Sequence, residues 1–236
     1  MKNLTIKALL LAAGYGTRLG SVTKDTPKCL VEIGGEKLLE TWIKNLLKID
    51  AHTILINTHY LSEKVENFLS SRFNENNRIQ TVYEENLLGT AGTLLKNIQY
   101  FKNSIGLLIH ADNFTNIDLV PFLEAHINKP KDCLLSMITF NCEKPENCGI
   151  VEINKDSVVT NFFEKIPNPP SNRANGAIYA FDDEFIAWIS ENRNLTDFST
   201  DVIPKLLGRI YAWHTEELFV DIGTPKSLKN VRALFN

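Results

Sequence analysis

Between Leu9 and Val31 the chain reads LLLAAGYGTRLGSVTKDTPKCLV. An apolar run stops at two glycines and is followed by two spaced cations, an order that few folds accommodate. Gly14 and Gly16 remove side chains from a turn, so successive backbone N–H groups can face phosphate oxygens without obstruction. Arg18 and Lys28 then add positive charge, the first as a planar fork suited to two phosphate oxygens, the second as a compact point charge. The stretch reads as a strand feeding a polyphosphate clamp; the plain alternative is a glycine turn after a strand. Two other glycine motifs do not fit. The dinucleotide fingerprint needs G-x-G-x-x-G opening a helix, but Gly20 comes one residue late and Pro27 follows soon after. The Walker A string G-x-x-x-x-G-K-[ST] does not occur.

Periodicity places the rest. Lys7 to Ala12 is a short apolar run without alternation, as in a buried parallel strand. Leu38, Leu39, Trp42, Ile43, Leu46 and Leu47 have helical spacing, Thr53 to Asn57 is strand-like, Val65, Phe68 and Leu69 mark a second helix, and Ile79 to Tyr83 a third strand. This alternation predicts an α/β fold with a doubly wound, mostly parallel sheet. Ligands of such sheets sit beyond the C-terminal strand ends, where the loops at Gly14, Glu84 and Asp112 emerge. Further on, a helix is expected from about Thr93 to Ile98, a strand over Ile105 to His110, and a helix over Leu119 to Ile127 with Asp118 as its cap. From Leu134 the pattern becomes strand-rich, with Leu134 to Thr139, Gly149 to Ile153, Val158 to Glu164 and Ala174 to Phe181 joined by Pro-rich connections. A short helix over Phe185 to Ile189 capped by Asp182, a helix opened by Asp197 or Ser199 and reaching Leu207, a strand over Ile210 to Trp213 and a closing helix over Lys226 to Leu234, with Pro225 suited to its first turn, complete the reading.

At 236 residues the chain suits one large α/β domain. Its 25 basic and 28 acidic residues give a net charge of −3 without any Lys/Arg run, which argues against a nucleic-acid surface. No stretch approaches the ~18 apolar residues of a membrane span. The first residues read as a strand rather than a cleaved leader. Cys29, Cys133, Cys142 and Cys148 lack paired C-x-x-C spacing, so they are expected as buried reduced thiols in the cytoplasm rather than as zinc ligands.

Gly14, Gly16, Thr17, Arg18 and Leu19, followed by Pro27 and Lys28, fit G-x-G-T-R-[LM] with a later P-K. This resembles the sugar-nucleotide nucleotidyltransferases, or sugar-1-phosphate NTP transferases. The resemblance continues through EENLLGTAG (Glu84 to Gly92), IHADN, CGIVE, FFEK, RANGAIY and DIGTP. It implies a Rossmann-like nucleotidyltransferase fold, a single domain over 1–236 with a nucleotide-binding half to about 130 and a small sugar-binding lobe over about 131–236. The implied reaction moves a nucleoside monophosphate from an NTP to a sugar 1-phosphate. The nearest likeness is to short guanylyltransferases acting on mannose 1-phosphate or a heptose 1-phosphate. Uridylyl-, thymidylyl- and cytidylyltransferases share much of the first half, and a catalytically silent regulatory subunit is the alternative from another class.

The same resemblance assigns roles. Leu11, Ala12, Ala13, Gly14, Gly16 and Thr17 would surround the nucleotide together with Glu84, Gly89 and Thr90; Arg18 and Lys28 would meet its phosphates. Asp112 and Asp221 would hold Mg²⁺, the expected cofactor, and a carboxylate just past a strand end suits a cation that bridges phosphates. The family usually spells this place G-D or N-G-D, so His110-Ala111-Asp112 departs from it while leaving Asp112 in position. Gly149, Glu164, Lys165 and Asn175 would take the sugar phosphate. NTP and sugar 1-phosphate are then the partners, without nucleic acid or membrane, and a homo-oligomer is compatible. Read without the family, Glu84 to Gly92 is equally a helix start with a permissive glycine, Glu164–Lys165 a solvated surface pair, and Asp221 a turn or cap residue. Glu84 also bears on the base. Guanine presents two adjacent donors that a carboxylate accepts side by side, whereas a glutamine amide suits the pyrimidine edge.

Overall fold

The structure, a computed structural model, describes residues 5–74 and 76–235. The fold is mixed α/β with a mostly parallel central sheet, as the alternating pattern predicts. Strand β1 (Ile6–Leu11) is the apolar run before the glycines. The chain then passes through 3₁₀ turns at Thr17–Thr23 and Lys28–Leu30 and a two-residue ribbon, β2 (Glu32–Ile33) with β3 (Glu36–Lys37). Helix α1 (Leu38–Lys48) buries Leu38, Leu39, Trp42, Ile43 and Leu46, the face that the helical spacing selects. Next come β4 (Thr53–Thr58), all six of whose residues are buried, α2 (Ser62–Phe73) and β5 (Ile79–Tyr83).

Helix α3 (Gly89–Lys96) begins four residues before the expected Thr93. The carbonyl of Thr196 accepts the N–H groups of Ala91 at 2.9 Å and Gly92 at 3.3 Å, which satisfies first-turn donors that no local side chain caps. The order continues with β6 (Ile105–His110), β7 (Asn113–Thr115) and α4 (Leu119–Ile127), where Asp118 caps as expected by accepting from Val120 N–H at 3.0 Å. Strands β8 (Leu135–Asn141), β9 (Gly149–Ile153), β10 (Val159–Glu164) and β11 (Arg173–Phe181) follow, then α5 (Asp183–Glu191), capped by Asp182. In place of one helix toward Leu207 there is a π turn over Phe198–Val202, capped by Asp197, and a 3₁₀ turn over Ile203–Leu206. Pro204 sits at the join, where its missing N–H stops the ladder from continuing. The chain closes with β12 (Ile210–His214), β13 (Phe219–Asp221) and α6 (Pro225–Arg232), the last opened by a capping box between Thr224 and Ser227.

The described residues form two compact units, each built from separate pieces of chain. One contains residues 7–87, 109–116 and 218–235. In it β1, β4 and β5 run parallel, with Leu9 opposite Leu55 and Ile56 opposite Thr81. Strands β7 and β13 pair antiparallel, and Leu19, Val31, Ile33, Leu38, Phe114, Ile222, Leu228 and Val231 form an apolar cluster joining the glycine loop, α1, β7 and α6. The other unit contains residues 5–6, 88–108 and 117–217. There β8 pairs antiparallel with β11 and parallel with β12, and β9 pairs antiparallel with β10 and β11. Among the described residues no helix is long and apolar enough to cross a membrane.

The expectation of four buried thiols needs correcting. Cys29 and Cys133 are buried, but Cys142 and Cys148 are half-buried, because they flank the exposed turn Pro145–Asn147. A hydrogen bond from Cys148 holds the Cys142 thiol below its usual range.

Candidate active site

The glycine loop is held in shape before any ligand is considered. Gly16 has φ +65°, a left-handed conformation that costs other residues energy, and a Cβ there would lie 3.0 Å from Thr23 Cγ2 and 3.1 Å from Lys28 Cβ. The carbonyl of Gly16 accepts from Leu19 N–H at 3.0 Å and Thr23 Oγ1 at 2.8 Å. Gly14 faces open space, and Thr17 and Arg18 are exposed, so this segment presents backbone to solvent as a phosphate cradle requires. Ahead of it, Leu11 and Ala12 are half-buried and Ala13 is buried.

Lys28 is 8% exposed, unusual for lysine, and the reason is its partners. Its Nζ lies 2.7 Å from Asp112 Oδ2 and 3.6 Å from Asp221 Oδ1. The two aspartates are brought side by side by the β7–β13 ladder, in which Asn113 is opposite Asp221, and by Ile222 N–H donating to the Asp112 carbonyl at 3.1 Å. Arg18 closes the group, its guanidinium 3.9 Å from Asp221 Oδ2 and 64% exposed. It passes over Gly223, where a Cβ would stand 3.0 Å from the Arg18 guanidinium nitrogen and 2.8 Å from Asp221 Oδ2. Burial pushes the Asp112 carboxyl up, but the charges of Lys28 and His110 and the hydrogen bond from Lys28 outweigh it and hold the group below the usual carboxylate range.

Asp112 and Asp221 together offer an all-oxygen donor set, their charge offset by Lys28 and Arg18 until phosphates draw those cations away. That fits Mg²⁺, which takes one or two protein carboxylates and completes its shell with water and phosphate. Among the described residues no three or more His, Cys, Asp or Glu side chains gather as a metal cage, so the fit is to a cation shared with a nucleotide.

Glu84 is 1% exposed. Its Oε1 accepts from Asn57 Nδ2 at 3.2 Å, and its backbone N–H donates to Thr58 O at 2.9 Å. Asn57 Oδ1 in turn accepts from Ala12 N–H at 2.7 Å. Sequence reasoning gave Asn57 and its neighbour His59 no role. The available signal was their place at the C-terminal end of a buried parallel strand, the edge where ligands of such sheets bind.

The remaining expected residues lie in the other unit. Gly89, with φ +77°, packs so closely that a Cβ would stand 2.3 Å from Thr196 O. Thr90 Oγ1 accepts from Phe198 N–H at 2.7 Å and donates to Asp197 Oδ2 at 3.3 Å. Both are therefore committed to the 196–198 segment. Gly149 lies opposite Glu164 on β9 and β10, and a Cβ there would come within 2.7 Å of Glu164 Oε2. Lys165 Nζ pairs with Glu164 Oε1 at 2.8 Å while keeping 60% of its side-chain surface exposed. Its N–H donates to Cys148 O at 3.1 Å. Asn175 donates to the buried Tyr179 hydroxyl at 2.7 Å and accepts from Ala177 N–H at 2.9 Å, so it shapes the irregular stretch of β11 between Asn175 and Tyr179.

Comparison with known proteins places the chain in a family. A family model described as Nucleotidyl transferase matches residues 7–235. The glucose-1-phosphate adenylyltransferase of Bacillus mycoides is 29% identical over 245 residues, covering 94% of this chain and 65% of that protein. A Sulfolobus acidocaldarius protein provisionally named a mannose-1-phosphate guanyltransferase is 28% identical over 230 residues, covering 96% of this chain and 62% of that protein. The chain thus spans a little under two thirds of the length of these relatives. Among solved structures, a Bacillus anthracis protein provisionally named a glucose-1-phosphate thymidylyltransferase and crystallised with sucrose has a TM-score of 0.85 at 24% identity, over 98% of this chain and 95% of that one, which shows a shared fold.

Proposed function

This chain belongs to the Nucleotidyl transferase family, and on that premise we propose that it transfers a nucleoside monophosphate from an NTP to a sugar 1-phosphate, with guanine as the base. The observation that carries this reading is the buried Lys28 between Asp112 and Asp221, with Arg18 above them at the end of the glycine loop. A silent regulatory subunit has no need of a lysine and two carboxylates kept together at this cost in desolvation.

An oxygen of the sugar phosphate attacks the α-phosphorus of the NTP, the α–β bridging P–O bond breaks, and pyrophosphate leaves with the bond electrons. The attacking oxygen is already anionic, so no general base is required. Catalysis then rests on positioning and charge neutralisation. Arg18 holds the departing pyrophosphate, Lys28 meets the reacting phosphate, and the exposed Lys165 counters the repulsion between two anionic substrates. Glu164 and Asn175 take sugar hydroxyls. Asp112 and Asp221 hold Mg²⁺, which when bound screens nucleotide charge. The guanine reading is supported by a carboxylate at this place, Glu84 just past the end of parallel strand β5, and by the likeness to the Sulfolobus protein.

The likeness to adenylyltransferases makes ATP the competing donor. The test is pyrophosphate release from GTP, ATP, UTP, dTTP and CTP, each with a panel of sugar 1-phosphates. Turnover with GTP in strong preference is the expected result. Preference for another NTP overturns the guanine assignment and leaves the reaction class; absence of release with every pair overturns the class.

A further inference from the structure

Beyond Asn57 the chain reads Thr58-His59-Tyr60, and its side chains reach three separate points of the glycine loop. Asn57 accepts from Ala12 N–H. Tyr60 OH donates toward the carbonyls of Lys24 at 2.9 Å and Thr23 at 3.2 Å. His59 Nδ1 lies 2.8 Å from the Glu84 carbonyl, and its Nε2 lies 3.0 Å from Tyr15 OH, the side chain between the two loop glycines. A carbonyl can only accept, so Nδ1 carries the ring proton. In the neutral ring Nε2 is then the acceptor, and Tyr15 OH donates to it. The Tyr15 and His59 rings meet edge to face, with centroids 5.4 Å apart at 85°. Tyr15 is nevertheless 48% exposed, so this bond is not a demand of core packing.

We propose that Tyr15 and His59 form a brace that sets the spacing between the glycine loop and the Glu84 peptide, and that both are positioning residues for the nucleotide. The proposal rests on the reading of this unit as an NTP site. One hydrogen bond from the middle of the loop to the strand end holds the phosphate cradle and the base-side edge in register. Losing it is expected to leave the fold intact and to act on the NTP rather than on the sugar phosphate.

The test uses Tyr15→Phe, His59→Asn and the double variant. His59→Asn keeps a donor near the Nδ1 position and drops Nε2, so both single variants delete the same bond. Each is expected to raise KM for the preferred NTP roughly fivefold, the size of one net hydrogen bond. KM for the sugar phosphate and the thermal midpoint should hold, and the double variant should be no worse than either single one. Dissociation constants for GTP, ATP, UTP, dTTP and CTP from calorimetry give a second readout that needs no turnover. Unchanged NTP affinity in the variants, parallel losses in both substrates with a lower midpoint, or additive effects in the double variant overturn the brace. Wild-type protein that neither binds nor turns over any of the five NTPs overturns the site reading beneath it, a result distinct from failure of the brace alone.

Discussion

Lys28 donates to Asp112 at 2.7 Å from a side chain that keeps 10% of its surface, while the carboxylate it serves keeps 36%. The cation is the more deeply sunk partner, so the pair depends on the aspartate more than a surface ion pair would. Removing either partner leaves a poorly hydrated charge behind.

Lys28→Met is expected to abolish turnover and to lower stability at pH 7 by about 1–3 kcal/mol, less than a fully buried pair would lose because Asp112 is partly hydrated. The sign with pH follows from the depressed Asp112 carboxyl. In the wild type its contribution is present above the unfolded carboxylate pKa and is lost as pH falls through the lower folded value. The variant lacks the ammonium, so its deficit should shrink toward pH 4, where Asp112 can take up a proton. Denaturant unfolding of both proteins at pH 7 and pH 4 reads this; an equal deficit at both pH values would count against it.

Asp221→Ala and Asp112→Ala are both expected to remove Mg²⁺-dependent turnover, but they should differ in stability. Asp221 is 54% exposed at its side chain, so its loss should barely move the thermal midpoint. Losing Asp112 leaves the Lys28 ammonium only its longer 3.6 Å contact with Asp221 and should lower the midpoint by several degrees. Activity titrated with Mg²⁺, alongside thermal unfolding, checks both halves. Near-normal Mg²⁺ activity in the two variants would remove the metal assignment.

Glu84→Gln tests the base. A glutamine carbonyl can still accept from Asn57 Nδ2, so that internal bond survives the change. An unpaired buried donor costs about 1–3 kcal/mol, so preference for GTP should fall roughly tenfold or more. The readout is kcat/KM for the five NTPs in wild type and variant. An unaltered ranking would separate Glu84 from base choice.

His126 gives a pH signature away from the site. It is 1% exposed, its Nδ1 is 2.8 Å from Ser136 Oγ, and its Nε2 has no hydrogen-bond partner. Burial, reinforced by the Lys129 charge and opposed by Asp182, lowers its pKa to about 4. The folded state therefore keeps the ring neutral. The associated stability is complete above the unfolded pKa near 6.5 and is lost as pH falls toward about 4. Between pH 7 and pH 5 the loss should be about 2 kcal/mol. His126→Asn should flatten the profile by that amount in denaturant titrations.

The parts of the site that were legible in the sequence are those encoded locally. Gly14, Gly16, Arg18 and Lys28 sit within one turn-rich segment, Asp112 follows a recognisable apolar strand, and Asp221 opens the short motif D-I-G-T-P. Long-range pairing supplies the rest. Nothing in the spacing of Asp112 and Asp221 says that β7 and β13 form a ladder, or that Lys28 is sunk between the two carboxylates. The early start of α3 depends on the Thr196 carbonyl, more than a hundred residues downstream. The burial of Glu84 and its bond to Asn57 are not readable in its own segment, since Asn57 lies on strand β4. Asn57 and His59 were overlooked because a polar residue at the end of an apolar strand has no distinctive period.

The β7–β13 ladder also bears on how the protein is made. Asp112 and Asp221 come together only when the chain has travelled from residue 113 to residue 219 and returned, and closing so long a loop is unfavourable until the intervening residues have folded. A nascent or partly refolded chain therefore carries the glycine loop long before it carries a paired carboxylate. On the proposed reading of these two carboxylates, cation-dependent nucleotide affinity should appear in refolding only once this ladder has formed, which makes it a reporter of completed assembly.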